Sequence, residues 1–444
     1  MLSLIGYATM LIILALLLTQ RVSPVVALAG VPIVAALIAG NPPGEVSGFL
    51  STGVAGVVDV VVMFVFAIVF FGILRNAGFF DPVIDALVRF GGGSPRTVTV
   101  ATTALACVAH LDGAGATTFL VTIPAMLPLY QRLGMSRLTL TACVGLGAGV
   151  MNILPWGGPS ARAAVTVGVD ANELWVPLIP AQIVGIAAAL AIAFLLGHRE
   201  ARRLARGGAA DFTDGHGEGE PASTDAAHPT APVPRSALRQ WTNGLLLLAA
   251  LGVLMSGIVS PAMVFMVATI LALLLNHRGM KSQVAQFDHS AQSAMLMAST
   301  LLAAGVLLGV LEESGMIAAM AKSAAGVLPT GLMPVLPLLV GILGVPMSLL
   351  FGPDAYYFGV LPVLTAVGAE HGIDPVVLAQ ASIIGQETVG FPISPLTGAF
   401  YLLVGLGGVS IGRHILNLIG WAWIVSVVML VVAVLMGVIP AWTA

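Results

Sequence analysis

Long apolar runs, separated by short polar segments, dominate the chain. Most are close to the roughly 20 residues that a helix needs to cross about 30 Å of hydrocarbon. They predict an all-helical protein that crosses a membrane several times. The runs lie at 2–19, 23–40, 53–76, 173–197, 241–257, 261–276, 290–311 and 414–439.

Four further apolar segments are interrupted near their middle by polar residues, glycine or proline. Two of them, 94–132 and 329–370, are too long for one crossing. They predict re-entrant helical hairpins, which enter and leave the membrane on the same side. The other two, 136–168 and 375–408, carry prolines and glycines at mid-span. Because proline removes a backbone donor and clashes with the preceding turn, each predicts a helix that is broken inside the membrane.

The two halves of the chain resemble each other in sequence. Gly72-Ile-Leu-Arg-Asn-Ala-Gly78 matches Gly309-Val-Leu-Glu-Glu-Ser-Gly315, and a second match relates Gly134 to Gly372 at nearly the same offset. The matched segments occur in the same order in both halves and are separated by nearly the same number of residues, which indicates an internal repeat. We therefore expect two repeats, each with five transmembrane helices, a re-entrant helical hairpin and one broken helix.

A polar segment at 198–239 divides the repeats. It is rich in Gly, Ala, Pro, Asp and Glu, a composition that cannot bury a core, and it predicts a solvated linker. The first repeat, 1–197, is expected to hold scaffold helices within 2–76, the hairpin 94–132, the broken helix 136–168 and a helix at 173–197. The second, 240–444, is expected to hold scaffold helices within 240–313, the hairpin 329–370, the broken helix 375–408 and a helix at 413–438.

An odd number of crossings per repeat predicts that the repeats insert with opposite orientation. With the linker in the cytoplasm and both termini outside, 15 of the 17 Lys and Arg residues fall on the cytoplasmic side. Lys322 falls outside and Arg162 within the membrane. Because cationic residues favour cytoplasmic loops, we expect an inverted repeat in the plasma or inner membrane of a bacterium.

The composition excludes several classes of function. The chain is 58% hydrophobic and 8% charged, and its net charge of −3 gives no reason to expect a nucleic-acid partner. Cys107 and Cys143 form neither a disulfide framework nor a metal-ligand spacing. The motifs of zinc peptidases, serine hydrolases and ATPases do not occur, so we expect a transporter driven by a gradient and not an enzyme.

Four motifs at the hairpin tips and helix breaks resemble the citrate–divalent metal/proton symporters (CitMHS-like) of the ion transporter superfamily. The resemblance covers nearly the whole chain except the linker. The motifs are His110-Leu-Asp-Gly-Ala-Gly-Ala-Thr-Thr-Phe119, Asn152-Ile-Leu-Pro-Trp-Gly-Gly-Pro159, Phe351-Gly-Pro-Asp-Ala-Tyr-Tyr357 and Gly390-Phe-Pro-Ile-Ser-Pro-Leu-Thr397.

The resemblance implies uptake of citrate as a complex with Mg²⁺, Ca²⁺ or a related cation, driven by protons. No permanently bound cofactor is implied, because the cation travels with the substrate. The superfamily also implies a homodimer in the lipid bilayer, in which hairpins and broken helices move against a scaffold in an elevator-type cycle. The sodium–dicarboxylate branch has Ser-Asn-Thr at its hairpin tips, whereas this chain has Asp112-Gly-Ala and Pro353-Asp-Ala, which puts sodium coupling in doubt.

Ionisable residues inside a membrane are costly and indicate function. Asp112 and Asp354, one at each hairpin tip, are candidate ligands for the divalent cation, since hard cations take oxygen ligands. Either could instead cap a helix. Arg162 could bind a substrate carboxylate, or form an ion pair with Asp112 or Glu387.

Two residues are candidates for proton coupling. His110 could accept the coupled proton or donate to the substrate, or it could simply bond a backbone carbonyl. Glu387 precedes the second helix break and could carry a proton, or accept bonds from freed backbone N–H groups.

Helix N-termini at the breaks would direct unpaired N–H groups towards an anion. Hydroxyl and amide side chains nearby could bind the substrate or repair broken backbone bonds. These further substrate-binding candidates are Gly113, Asn152, Gly158, Ser160, Ser394 and Thr397.

Two other functions remain open from the sequence. The same fold could carry an organic anion without metal, such as a dicarboxylate or gluconate, coupled to protons or sodium. It could also form an ion channel.

Overall fold

A computed structural model of the chain describes residues 1–19, 21–206, 237–325 and 330–442. These residues are helical apart from short connections, which confirms the predicted all-helical class. The helices are α1 (Leu2–Thr19), α2 (Val31–Ile38), α3 (Pro43–Asn76), α4 (Asp81–Gly91), α5 (Pro95–Ala109), α6 (Gly115–Arg132), α7 (Arg137–Met151), α8 (Gly158–Val167), α9 (Ala171–Trp175), α10 (Ile179–Ala205), α11 (Ala237–Ser256), α12 (Pro261–Asn276), α13 (Met280–Glu313), α14 (Met316–Ala325), α15 (Leu336–Met347), α16 (Pro353–Ala355), α17 (Leu361–Glu370), α18 (Pro375–Ile384), α19 (Gly398–Gly407) and α20 (Ile411–Leu435).

Several helices can cross a membrane by length and composition. Among the described residues six helical segments meet this requirement, which agrees with a multi-pass membrane protein. They are Leu2–Thr19, Pro43–Asn76, Ala171–Ala205, Leu238–Ser256, Met280–Glu313 and Ile411–Leu435.

The helix α10 is longer than the sequence suggests. It continues to Ala205, so its last turns extend into the segment predicted as a linker. The reason is that Glu200 is buried against α7 and accepts a hydrogen bond from Thr139 Oγ1 at 2.9 Å. Residues 207–236 of the predicted linker lie outside the described residues.

The two longest helices, α3 and α13, pack against each other in antiparallel directions. Each has 34 residues, so each is about 50 Å long and exceeds the hydrocarbon thickness. Gly53 lies against Gly309 at one end of the contact, and Gly72 lies against Ser290 at the other. A Cβ added at Gly309 would be 2.7 Å from the Cα of Gly53, so glycine permits this close approach.

The first hairpin consists of α5 and α6, which pack along each other. Arg132 Nη2 donates to the carbonyl of Gly92 at 3.0 Å, so the outer ends of the two arms lie together. A 3₁₀ turn, His110–Asp112, forms the tip, and Gly113 follows it with a φ of 71°. Because a positive φ is strained for residues with a Cβ, glycine suits this tip.

The second hairpin region is formed by α15 on one side of its tip and by α16, a π segment and α17 on the other. Its outgoing arm packs on α18 and α20, and its returning arm packs on α14 and α18. The indole of Trp423 on α20 donates to the carbonyl of Ile342 at 2.7 Å. These contacts bring the tip against the second helix break.

Both predicted broken helices are interrupted in the structure. In the first, α7 ends at Met151 and α8 begins at Gly158. In the second, α18 is followed by an irregular π segment and a 3₁₀ turn before α19 begins at Gly398. The α7 segment packs against this second irregular segment, so the two breaks are adjacent.

Candidate functional site

The carboxylate at the first hairpin tip is held from two directions. Asp112 Oδ1 accepts from the backbone N–H of Ala114 at 2.9 Å, which stabilises the start of the returning arm. Its Oδ2 accepts from Arg75 Nη1 on α3 at 3.2 Å. Arg75 also donates to Thr117 Oγ1 at 2.9 Å. The tip is thus tied to a long helix of the α3–α13 pair.

A chain of hydrogen bonds connects this tip to both helix breaks. The imidazole of His110 is fully buried, with Nδ1 2.8 Å from Thr118 Oγ1 and Nε2 3.1 Å from Asn152 Oδ1. Asn152 Nδ2 donates to the backbone carbonyl of Glu387 at 2.7 Å. Because the amide nitrogen of Asn152 is the donor to Glu387, its oxygen must accept from His110, and His110 must carry a proton on Nε2.

The second break holds a strained and buried glutamate. Glu387 has φ 52° and ψ 15°, and among the described residues no other non-glycine residue has a positive φ. Its backbone N–H donates to Ser348 Oγ at 2.9 Å. Both carboxylate oxygens are buried and accept no hydrogen bond of good geometry in the described parts of the chain, and Thr388 Oγ1 and Ser394 Oγ likewise have none. The Ser394 hydroxyl lies close enough to Glu387 to act on its carboxylate. Buried polar atoms without a well-formed hydrogen bond are rare in folded proteins.

An ion pair joins the first broken helix to the second hairpin tip. Arg162 Nε on α8 donates to Asp354 Oδ1 at 2.6 Å, and 9% and 18% of the two side chains are exposed. Arg162 Nη1 also donates to the carbonyl of Gly158 at 3.1 Å. A Cβ at Gly158 would lie 2.9 Å from that nitrogen, so glycine makes room for the guanidinium group. Both charges interact electrostatically with Glu387.

Two of the predicted hydroxyl residues bond local carbonyl groups. Ser160 Oγ donates to the carbonyl of Ile153 at 2.8 Å, and Thr397 Oγ1 donates to that of Ser394 at 3.2 Å. Both contacts stabilise a helix break, which is the alternative that the sequence left open. The structure therefore groups His110, Asn152 and Glu387 in one network and Gly158, Arg162 and Asp354 in another, while Asp112 pairs with Arg75.

Sequence reasoning missed two partners of the site. Arg75 was assigned to the cytoplasmic surface, yet it pairs with Asp112; its place in the repeated Gly72–Gly78 motif was the available signal. For Arg162 the sequence predicts contact with a substrate carboxylate or, as the alternative, an ion pair with Asp112 or Glu387; in the structure its ion-pair partner is Asp354. Gln386 was not singled out either: its carbonyl accepts from Tyr357 OH at 2.7 Å, which supports the strained segment.

Comparison with known proteins shows the family. Residues 4–385 match CitMHS, described as citrate transporter. The chain belongs to this family. Its members are transporters, so this transporter is not an enzyme.

Relatives from Bacillus subtilis match along their whole length. A "Citrate transporter" is 39% identical over 439 residues, which are 99% of this chain and 100% of the relative. A "Mg(2+)/citrate complex secondary transporter" is 37% identical over 439 residues, 99% of each chain. An uncharacterized transporter, YraO, is 32% identical over 99% of each chain.

A solved structure shares the fold. The crystal structure of the Alcanivorax borkumensis YdaH transporter, which reveals an unusual topology, matches with a TM-score of 0.61. It covers 88% of this chain and 86% of its own, at 19% sequence identity. At that identity the likeness supports the fold of the transporter only.

Proposed function

We propose that the transporter takes up citrate as a complex with a divalent cation, Mg²⁺ or Ca²⁺, in symport with protons. The family match and the two relatives named for citrate support this cargo, and one of these relatives is named for the Mg²⁺ complex. The cation is part of the substrate and not a resident cofactor. The proposed site comprises the two networks around the helix breaks together with the Arg75–Asp112 pair at the first hairpin tip.

The charges of the site favour a chelate over the free anion. Citrate alone carries about three negative charges near neutral pH, and burying them is costly. Chelation by a divalent cation leaves a net charge of about −1. Within the site, Arg75 and Arg162 already face Asp112 and Asp354, so each pair is close to neutral. A weakly charged chelate therefore enters at a lower desolvation cost than free citrate.

The observation that carries the proposal is the carboxylate of Glu387. It is buried, has the Ser394 hydroxyl as its near polar neighbour and lies at a strained turn close to the Arg162–Asp354 pair. A buried carboxylate without partners is unfavourable when charged, and it is stabilised by a proton or a cation. Glu387 can therefore carry the coupled proton: it takes up the proton on the side where the chelate binds and releases it on the side where the chelate leaves.

His110 offers a second position for a proton. Its Nε2 donates to Asn152, so a further proton must bind Nδ1, beside the hydroxyl of Thr118. That hydroxyl also lies 3.0 Å from the carbonyl of Ala114 and can donate there. Thr118 can thus donate to neutral His110 or accept from the protonated form, so a proton can be held without breaking the network.

The two tip carboxylates differ as possible ligands for the cation. Both oxygens of Asp112 are engaged, by Ala114 and Arg75. Asp354 Oδ2 has no hydrogen-bond partner in the described ranges, so Asp354 is the more available of the two. Across those ranges no three His, Cys, Asp or Glu residues gather as a metal site, and citrate would supply most of the oxygen ligands.

We also propose the inverted repeat and the elevator cycle for this transporter. The antiparallel helices α3 and α13 support the repeat, because they have equal length and begin 237 positions apart in the sequence. At that separation Gly53 corresponds to Ser290 and Gly72 corresponds to Gly309. The contacts Gly53–Gly309 and Gly72–Ser290 are therefore equivalent to each other under the repeat. In this proposal the α3–α13 pair is scaffold, and the hairpins and broken helices carry the site as a homodimer in lipid. The linker would lie in the cytoplasm and both termini outside.

The decisive experiment is citrate uptake by the purified transporter in proteoliposomes. We expect uptake to require Mg²⁺ or Ca²⁺ and to collapse when a protonophore removes the proton gradient. Uptake that is unchanged in excess EDTA would refute metal–citrate as the substrate. Uptake that survives the protonophore and follows a sodium gradient would refute proton coupling.

A further inference from the structure

A polar cavity of about 200 Å³ lies at the beginning of α7, remote from the proposed transport site. It is enclosed by the first residues of α7, the last turns of α10 and the start of α20. The 15 residues of α7, at about 1.5 Å each, place it roughly 22 Å from Asn152 at the break. A ligand in this cavity would therefore be distinct from the transported substrate.

The lining of the cavity is cationic. It contains Arg137, Arg203 and Arg413 but only one acidic residue, Glu200. The Glu200 carboxylate is already compensated, because Oε2 accepts from Arg203 Nη2 at 2.9 Å and from the backbone N–H of Ser136 at 3.3 Å. The lining therefore contains three guanidinium groups and one carboxylate.

Arg137 presents a buried hydrogen-bond donor to this cavity. Among the described residues it has neither a hydrogen-bond partner nor an ion pair, and its Nε is buried. Its guanidinium group is pressed against Gly408, where an added Cβ would collide with Nη1. Gly408 has a φ of 63°, so glycine is required there for both conformation and space. A buried guanidinium N–H without an acceptor is costly, and an anion would satisfy it.

Two long helices also begin at the cavity. Ser136 precedes α7 and Ser410 precedes α20, which have 15 and 25 residues. Ser136 Oγ accepts from Leu138 N at 3.2 Å, whereas no side chain caps α20. Uncapped backbone N–H groups and the helix dipole both favour an anion at such a position.

The fold itself does not require this positive charge. In the proposed repeat, Gly168 corresponds to Gly408, and both end a helix with a φ close to 65°. The residues 240 positions before Ser410 and Arg413 are Asp170 and Glu173. The same turn therefore carries Asp170 and Glu173 in one half and Ser410 and Arg413 in the other. An arginine at its last position is not needed to form the turn.

We propose that this cavity is a binding site for a phosphate group, separate from the transport site. The tetrahedral oxygens of a phosphate can accept from Arg137, from Arg413 and from the start of α20 at the same time, whereas one planar carboxylate would engage fewer of them. The phosphate can belong to the headgroup of an anionic lipid, as in basic pockets at the cytoplasmic ends of membrane helices, or to a free phosphate ion.

Two measurements on the full-length purified transporter test the proposal and distinguish the sources. Native mass spectrometry measures binding of phosphatidylglycerol, with phosphatidylcholine as the zwitterionic comparison. Thermal unfolding in lipid-free detergent measures stabilisation by inorganic phosphate. We expect at least one of these ligands to bind, with an affinity about tenfold lower in Arg137→Gln, since one charge-assisted contact is lost. Arg137→Lys should retain part of the binding.

Arg199→Gln is the matched control. Arg199 lies at the same end of α10, but its guanidinium group stacks over the ring of Trp421 at 4.8 Å and does not line the cavity. The Arg199→Gln variant should bind both ligands as the wild type does. This result would show that binding depends on the cavity and not on the overall positive charge of this surface. Melting temperatures without ligand show whether each variant is folded.

The outcomes are distinct. Binding of phosphatidylglycerol alone identifies a lipid headgroup as the ligand. Stabilisation by inorganic phosphate alone identifies a free ion. Either result supports the proposal if the Arg137→Gln variant is folded and no longer shows that binding or stabilisation. The proposal is overturned if neither ligand binds, or if Arg137→Gln binds as well as the wild type. None of these outcomes depends on the cargo of the transporter, so they are separate from the test of citrate transport.

Discussion

At the scale of single residues, Glu387 combines two unfavourable features. A left-handed backbone at a non-glycine residue costs on the order of 1–3 kcal/mol, and a buried carboxylate without partners adds to this. The surrounding contacts hold the residue in place: Ser348 accepts from its N–H, and Asn152 donates to its carbonyl. Such strain persists where the surroundings impose it, and this is common at functional sites.

Glu387→Gln tests the proposed proton carrier. Glutamine keeps the size of the side chain but cannot release a proton. We expect proton-driven citrate uptake to fall at least about tenfold, while citrate exchange without a gradient continues. Radiolabelled uptake and counterflow in proteoliposomes measure the two rates. Glu370→Gln, at the exposed end of α17, should change neither. A Glu387→Gln protein that still accumulates citrate would exclude this residue as the carrier.

Asn152→Ala tests the bridge between the two breaks. It leaves His110 Nε2 and the Glu387 carbonyl without partners, and each buried group costs about 1–3 kcal/mol. We expect a lower melting temperature and a raised KM for citrate. Asn243→Ala, which breaks the Asn243–Asn276 contact between α11 and α12, should lower stability without changing KM. An unchanged KM in Asn152→Ala would remove the bridge from the site.

At the scale of elements, two ion pairs connect parts of the chain that are distant in sequence. Arg75–Asp112 joins α3 to the first hairpin tip, and Arg162–Asp354 joins α8 to the second. The arginines differ in exposure, with 36% of the Arg75 side chain and 9% of the Arg162 side chain accessible. Because solvent screens exposed charges, the Arg162 pair should be the stronger.

Double-mutant cycles measure this difference. We expect Arg162→Ala and Asp354→Ala to show a coupling of about 1–3 kcal/mol in the free energy of unfolding. The cycle of Arg75→Ala and Asp112→Ala should give a smaller coupling, of about 1 kcal/mol or less. Denaturant or thermal unfolding in detergent provides the values. A stronger coupling for the Arg75 pair would contradict the packing described for the two tips.

The contact between α3 and α13 is a second property of elements. An alanine at Gly309 would place its Cβ against the backbone of Phe49 and Gly53, so the two helices must separate. We expect Gly309→Ala to lower stability by about 1–3 kcal/mol, measured by thermal unfolding. Gly56→Ala on α3 has open space around its Cβ and should be neutral or slightly stabilising. Equal effects of the two substitutions would argue against a close helix pair.

At the scale of the whole molecule, the proposed inverted topology fixes the side on which each loop lies. Lys322 on α14 should be outside the cell, while Arg278, between α12 and α13, should be inside. Both side chains are exposed, and the native Cys107 and Cys143 are buried. The two positions lie on either side of α13, so together they report the orientation of the second half in the membrane.

Cysteine labelling tests this topology. In intact cells a membrane-impermeant maleimide should label Lys322→Cys and leave Arg278→Cys unmodified. After permeabilisation both should react, which controls for local accessibility. Labelling of Arg278→Cys in intact cells would refute the proposed orientation. The wild-type protein, with only its two buried cysteines, gives the background.

The sequence by itself determined the features that depend on local chemistry. The length of an apolar run decides whether a helix can span lipid, so the helical class was predictable. Proline and glycine interrupt helices through their own backbone, so the broken helices and the polar tips were predictable as well. The motifs at these positions also indicated the family.

Only the tertiary structure decided which of these groups meet. Asp112 pairs with Arg75 across 37 positions and Asp354 with Arg162 across 192, and no local pattern selects those partners. The strain at Glu387 and the cavity around Arg137 likewise arise where separate elements pack together. Hydrogen bonds and ion pairs depend on distances of a few ångströms, and these are set by the packing of elements that are far apart in sequence.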